Sequence, residues 1–259
     1  MTRGNWLRSF REPMDASVRL VCFPHAGGAA SAYFKLAQQL PPQIHVLSVQ
    51  YPGREDRWAE PRAARLSSLA EAVAEELDRH PGPYALFGHS MGAVVAYETA
   101  RRIEAGGGGA RLGELFVSAH LPPSDLHGAR TAVRLGEPEL RRRLSLLGGT
   151  GHAVLSDPDL AELYLPILKA DYAALNAYTW VPGDRLRTPL TVLAGAADPL
   201  VRPAQTYGWR DLTDGPFDQH VFPGGHFYLH EALPAVARLL STRLTALSSG
   251  TGRQTGAPS

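Results

Sequence analysis

The sequence is poor in several things that mark whole classes of protein. It has one cysteine, Cys22, so no internal disulfide can form. No Cys/His cluster with zinc spacing is present either, and no metal site is expected. Lysine is almost absent: Lys35 and Lys169 are the only two among 26 basic residues, a bias that reads as GC-rich coding rather than function. Charge of one sign is lacking too. The 26 basic and 25 acidic side chains leave a formal net charge of +1, which gives no electrostatic footprint for wholesale nucleic-acid binding. No run approaches the roughly 18 apolar residues of a membrane span, and the first residues lack the apolar core of a secretion signal. The chain is expected to be soluble, cytoplasmic and monomeric, with neither a nucleic acid nor a membrane as partner.

What is present fits one globular unit. In 259 residues, 44% are apolar and 20% charged, close to ordinary globular values. Residues 1–18 are polar and irregular and are expected to form an arm; 248–259 are Gly/Ser/Thr-rich and expected to be disordered. Between them, short apolar runs alternate with helical patterns. Runs at Arg19–Phe23, Ile44–Val49, Tyr84–Phe87 and Leu115–Ser118 read as buried strands. Ser31–Leu40, Ser68–His80 and Met91–Ile103 read as amphipathic helices, the second with Leu69, Val73 and Leu77 at four-residue spacing. The alternation resumes with strands at Leu190–Ala194 and Gln219–Phe222 and helices near Ala204–Arg210 and over Glu231–Leu247. It predicts an α/β fold, a mostly parallel sheet with helices on both faces.

The exception is residues 120–187. One crossover helix would join two parallel strands, but two helical patterns occupy this stretch, Glu137–Leu147 and Asp157–Ala177. Asp157 suits an N-cap and Pro158 the first helical turn. An insertion of that length between sheet strands is expected to be a lid over the strands' C-terminal ends. An enlarged structural crossover is the plainer alternative.

Gly88-His89-Ser90-Met91-Gly92 matches G-x-S-x-G, a weak signal alone. Here it stands between an apolar strand and a helical run, the strand–turn–helix context of a nucleophile elbow. A serine is a poor nucleophile without a base to take its proton. In such folds the partners follow in the order Ser, acid, His. His226, in the Gly-rich loop after the last strand, is the candidate base, ahead of His220 and His230. Asp198, after the strand Leu190–Ala194, is the candidate acid, ahead of Asp211, Asp214 and Asp218. An oxyanion hole needs two backbone N–H groups. Met91, directly after the serine, would give one; the turn Pro24–Gly28 would give the other, through Ala26 or, second, Gly27. His25 is expected to fix that loop by hydrogen bonds.

Four motifs, the elbow among them, carry a family resemblance. Phe23-Pro-His-Ala-Gly-Gly28, Tyr51-Pro-Gly-Arg-Glu55, Gly88-His-Ser-Met-Gly92 and Gly224-Gly-His-Phe-Tyr-Leu229 together resemble the discrete, type II thioesterases that accompany polyketide synthases and nonribosomal peptide synthetases. Leu146-Leu-Gly-Gly-Thr150 and Leu165–Asp171 resemble segments of that family's lid. The resemblance spans residues 19–245 and implies an α/β-hydrolase fold with a helical lid. It implies hydrolysis of acyl groups from the phosphopantetheine arm of acyl or peptidyl carrier proteins, with Ser90, Asp198 and His226 as triad and Met91 and Ala26 as oxyanion positions. No cofactor is required. One departure is visible: the family tends to read Gly-Arg-Arg-Ala-Pro where this chain has Ala119-His-Leu-Pro-Pro123, a segment that bears on substrate preference and docking. Carrier proteins are generally acidic, so docking is expected to use Arg141–Arg143 or the scattered Arg54, Arg57, Arg62 and Arg65. A free-standing esterase or lipase, and a silent hydrolase-fold binding protein, are the other two readings.

Overall fold

The computed structural model describes residues 6–12, 18–127, 138, 140–142, 145 and 156–251. Seven strands form one sheet: β1 (Leu7–Ser9), β2 (Val18–Phe23), β3 (Ile44–Val49), β4 (Tyr84–His89), β5 (Leu112–Ser118), β6 (Leu190–Gly195) and β7 (Phe217–Phe222). Their spatial order is β1-β3-β2-β4-β5-β6-β7. Every pairing is parallel except β1 on β3. The helices are α1 (Phe34–Gln39), α2 (Leu66–Asp78), α3 (Met91–Ala105), α4 (Pro158–Ala177), α5 (Pro203–Thr206), α6 (Tyr228–Glu231) and α7 (Leu233–Thr251).

Strand periodicity explains the two cores. Successive side chains of a strand point to opposite faces, so Leu86 and Phe87 of β4 enter different layers. Leu86 joins Val21, Leu115 and Val117 under α2 and α3. Phe87 joins Cys22, Phe116 and Leu193 under α1 and α7. Because both faces are covered, β4 is buried along all six residues, which is why it reads as a continuous apolar run. The apolar positions of α2 and the set Val236, Ala237, Leu240 and Leu244 of α7 recur at helical spacing and face inward. Among the described residues no helix is long and apolar enough to cross a membrane.

Two ends differ from the sequence reading. Leu7–Ser9, expected to lie in an irregular arm, adds an antiparallel edge strand, with Leu7 opposite Val49. Only three residues pair, too short a run for any pattern, and Trp6 just before it packs under the Arg57 guanidinium at 4.2 Å. At the other end α7 continues to Thr251, past the expected boundary at 247; residues 252–259 lie outside the described set. Elsewhere Ala30–Tyr33 and Tyr207–Leu212 are 3-10 turns rather than parts of longer helices.

Within the 120–187 stretch, α4 has the N-terminus its sequence specifies. The Asp157 carboxylate accepts from the Asp159 and Leu160 N–H groups at 3.0 and 3.2 Å, with Pro158 in the first turn. Of the helix expected at Glu137–Leu147, residues 138, 140–142 and 145 are helical; its other positions lie outside the described residues. Leu140 and Leu168 pack together against Ala26. These two residues of the insertion thus sit directly on the turn after β2.

Candidate active site

Ser90 stands where β4 ends and α3 begins, with φ 55° and ψ −123°. This is a left-handed backbone position that a residue with a Cβ adopts only when its surroundings impose it. Two features impose it here. The Ser90 N–H donates to the Ser118 carbonyl at 2.8 Å, carrying the β4–β5 ladder up to the serine itself. The helix that follows then passes so near β2 that a Cβ at Gly92 would overlap the Phe23 carbonyl, and one at Gly88 would overlap the Gly92 backbone. Only glycine at both positions lets the strand turn that sharply into the helix.

The loops after β6 and β7 bring the other two residues in. They are tied together by Ala196 N–H to the Phe222 carbonyl, 2.8 Å, and Ala197 N–H to the Gly224 carbonyl, 2.9 Å. His226 Nδ1 lies 2.8 Å from Asp198 Oδ2, and His226 Nε2 lies 3.0 Å from Ser90 Oγ. The other Asp198 oxygen accepts the N–H groups of Leu200 and Val201 at 2.8 and 3.2 Å. A carboxylate only accepts, so Nδ1 carries the imidazole proton and Nε2 is the acceptor for the Ser90 hydroxyl. His226 and Asp198 are buried while Ser90 is partly open. That arrangement can take a proton from the hydroxyl and hold the resulting imidazolium beside a fixed negative charge.

Two of the three rival acids lie in other interactions. Asp214 pairs with Arg185, and Asp218 with His220. His230 is on the short helix α6.

Met91 is the first residue of α3, so its N–H is one of the four that have no acceptor within the helix. In the facing turn, the Gly28 N–H donates to the His25 carbonyl at 2.9 Å, and the Gly27 N–H donates to Asp171 Oδ2 at 2.7 Å. Gly27, the second choice from sequence, is thereby occupied, which leaves Ala26 as the turn's candidate donor. His25 fixes the loop by packing: its ring meets Phe227 edge-on at 4.8 Å.

Three more imidazoles crowd this end of the sheet, and burial holds each in its neutral form. His25 is lowered to about 3, by burial first and then by the neighbouring His226. His120 is lowered to about 4, again mainly by burial. His89 is well below its ordinary value for the same reasons. These groups therefore leave the proton traffic to His226 near neutral pH.

Sequence reasoning missed the roles of three residues here. Ser118 takes the Ser90 N–H on its carbonyl, while its hydroxyl bonds His89 Nδ1 at 2.8 Å and the Tyr228 hydroxyl at 2.6 Å. Its place at the end of an apolar strand was the available signal. Arg54 and Asp171 form a buried pair described below. Arg54 and also Arg57, both expected as docking charges, are corrected by this: Arg54 is enclosed with Asp171, and Arg57 is buried between Trp6, Glu60 and the Gln50 carbonyl. Arg65 and Arg142 are exposed. A groove of about 1110 Å³ lined by Glu98, Arg101, Tyr178 and Val181 lies toward the far end of α3, roughly 10 Å or more from the elbow at 1.5 Å of rise per residue.

Comparison with known proteins finds a matching family model and relatives along most of the chain. A family model described as a thioesterase domain matches residues 18–244. The chain is 42% identical over 238 residues to a probable cadicidin biosynthesis thioesterase of Streptomyces griseus, covering 91% of this chain and 64% of that one. It therefore spans just under two thirds of that relative's length. With the thioesterase PikA5 of Streptomyces venezuelae it shares 41% identity over 243 residues, covering 93% and 86%. Among solved structures, the type II thioesterase BorB from the borrelidin biosynthetic cluster superposes with a TM-score of 0.82 at 40% identity, covering 92% and 97%. RedJ, the thioesterase of the prodiginine pathway in Streptomyces coelicolor, gives 0.82 at 38%, covering 90% and 88%. The fold is the α/β-hydrolase fold that the motifs imply.

Proposed function

Because the chain belongs to the thioesterase domain family, we propose that it is a type II thioesterase that hydrolyses acyl groups from the phosphopantetheine arm of acyl or peptidyl carrier proteins, with Ser90 as nucleophile. The observation that carries this reading is the unbroken relay Asp198–His226–Ser90, at 2.8 and 3.0 Å. Ser90 Oγ attacks the thioester carbonyl as its proton passes to His226 Nε2. The N–H groups of Met91 and Ala26 receive the negative charge of the tetrahedral intermediate. The intermediate collapses, the C–S bond breaks, and the His226 proton goes to the departing thiolate. Water then attacks the acyl-serine, its proton moving to His226 and on to Ser90 Oγ, and the carboxylic acid leaves. Nothing in these steps calls for a cofactor.

The carrier partner, the clearance of stalled or wrongly loaded units, the cytoplasmic location and the monomeric state belong to the same proposal. Residues 120–187 act as the lid, supported by the seat of Leu140 and Leu168 on the oxyanion turn. Docking falls to exposed arginines such as Arg65 and Arg142. The test is mass spectrometry of a panel of acylated carrier proteins before and after exposure to the enzyme. Return of free phosphopantetheine arms is expected, and arms that stay acylated while small oxygen esters are cleaved would point to a general esterase.

A further inference from the structure

Two sequence motifs 117 residues apart meet in one buried cluster. Arg54, from the segment after β3, and Asp171, from α4, form a bidentate pair with Nη1–Oδ2 at 2.8 Å and Nη2–Oδ1 at 2.7 Å. Both side chains are at most 5% exposed. Each partner also holds one backbone group of the turn that carries Ala26. Asp171 Oδ2 accepts the Gly27 N–H at 2.7 Å, and Arg54 Nη1 donates to the Gly28 carbonyl at 2.9 Å. Gly27 has φ 79° in the His25–Gly28 turn, as the third residue of a type II turn requires. Gln50 braces the same region, accepting from Ala30 N–H and donating to the Arg54 carbonyl.

Burying two charges is costly, and an apolar pair of similar volume often serves stability as well or better. The hydrogen bonds to the turn are what an apolar pair could not supply. We propose that Arg54 and Asp171 are positioning residues for the reaction: they clamp the turn so that the Ala26 N–H faces the developing oxyanion, and through Asp171 they make that geometry depend on the seat of the lid helix. This rests on the thioesterase reading and adds to it a physical link between lid and oxyanion hole. Opening of the lid must either leave the Asp171 end of α4 in place or loosen the hole.

The experiment compares wild type, Asp171→Asn and the double variant Arg54→Met/Asp171→Leu. The double variant removes both charges, so no unpaired buried charge remains, but it leaves the Gly27 N–H and the Gly28 carbonyl without these partners; its Tm should fall by several degrees while the protein still folds. Its kcat should nevertheless fall about 10- to 100-fold, a fraction of what outright loss of an oxyanion donor costs, with KM changed less than about threefold. A trifluoromethyl ketone analogue of the acyl thioester should lose affinity by the same factor as kcat, because it is held as a tetrahedral oxyanion, while the matching methylene ketone should not. Amide exchange should quicken at 25–28 and stay unchanged at 88–92. Normal kcat in the folded double variant, equal loss of affinity for both ketones, or unchanged exchange at 25–28 would each overturn the proposal. A wild-type protein without turnover would remove the thioesterase reading and leave the clamp to be judged by exchange alone.

Discussion

Replacing Asp198 with asparagine probes the site through a tautomer that two backbone donors select. Asp198 offers one oxygen to His226 Nδ1 at 2.8 Å and the other to the N–H groups of Leu200 and Val201. An asparagine has one acceptor oxygen and one NH₂ donor. If the oxygen stays with the two N–H groups, the NH₂ points at Nδ1 and forces the imidazole proton onto Nε2, where it confronts the Ser90 hydroxyl. If the amide flips, His226 keeps the right tautomer but both backbone donors face an NH₂ in a buried site. Each unsatisfied N–H costs about 1–3 kcal/mol, so the wrong tautomer is favoured by roughly 2–6 kcal/mol in all. At about 1.4 kcal/mol per tenfold, kcat should fall by something between 30-fold and 10⁴-fold. The fold should hardly notice, because shape and hydrogen-bond count are kept in the unflipped state. Release of free thiol from an acyl-phosphopantetheine thioester gives the rate, and thermal unfolding gives the control. A rate within threefold of wild type in a folded Asp198→Asn protein would refute the argument and move the acid elsewhere.

Three other outcomes follow from the same geometry. Gly92→Ala places a methyl on the Phe23 carbonyl and should cost several kcal/mol by denaturant unfolding, whereas Gly107→Ala, with open space but φ 82°, should cost only about 1–2 kcal/mol; equal losses would remove the close-packing account of the elbow. Stability should fall with acid, because His25 at about 3 and His120 at about 4 stay neutral in the folded protein while the unfolded chain protonates them below roughly pH 6.5. The unfolded state then binds more protons, and each such histidine removes up to about 1.4 kcal/mol per pH unit between that pH and its folded value; a urea midpoint unchanged between pH 7 and 5 would contradict this. The kcat/KM on an acyl carrier protein should exceed that on the same acyl group carried by a minimal thiol, with the advantage shrinking as salt rises; equal values at low salt would remove carrier docking.

The parts legible in the sequence were those fixed by local pattern. The strand Tyr84–Phe87 followed by Gly88–Gly92 located the elbow, because buried parallel strands read as apolar runs and a sharp turn demands glycine. The chain order then led to Asp198 and His226. The illegible parts depend on contacts distant in sequence. Leu7–Ser9 becomes a strand only through β3. Arg54 looks like a solvated charge until α4 brings Asp171 to it. The sequence ranks Ala26 ahead of Gly27, but the physical reason, a Gly27 N–H taken by Asp171, appears only when α4 is in place.

The central claim is that Ser90 becomes acylated, and it can be tested directly. The enzyme is mixed with an acyl-carrier protein, quenched in acid within the first turnover, digested and analysed by mass spectrometry. The account predicts an acyl mass on the peptide containing Ser90, absent from Ser90→Ala, which should also lose thioester hydrolysis. Turnover at the wild-type rate by Ser90→Ala, or an acyl adduct on a different residue, would contradict it.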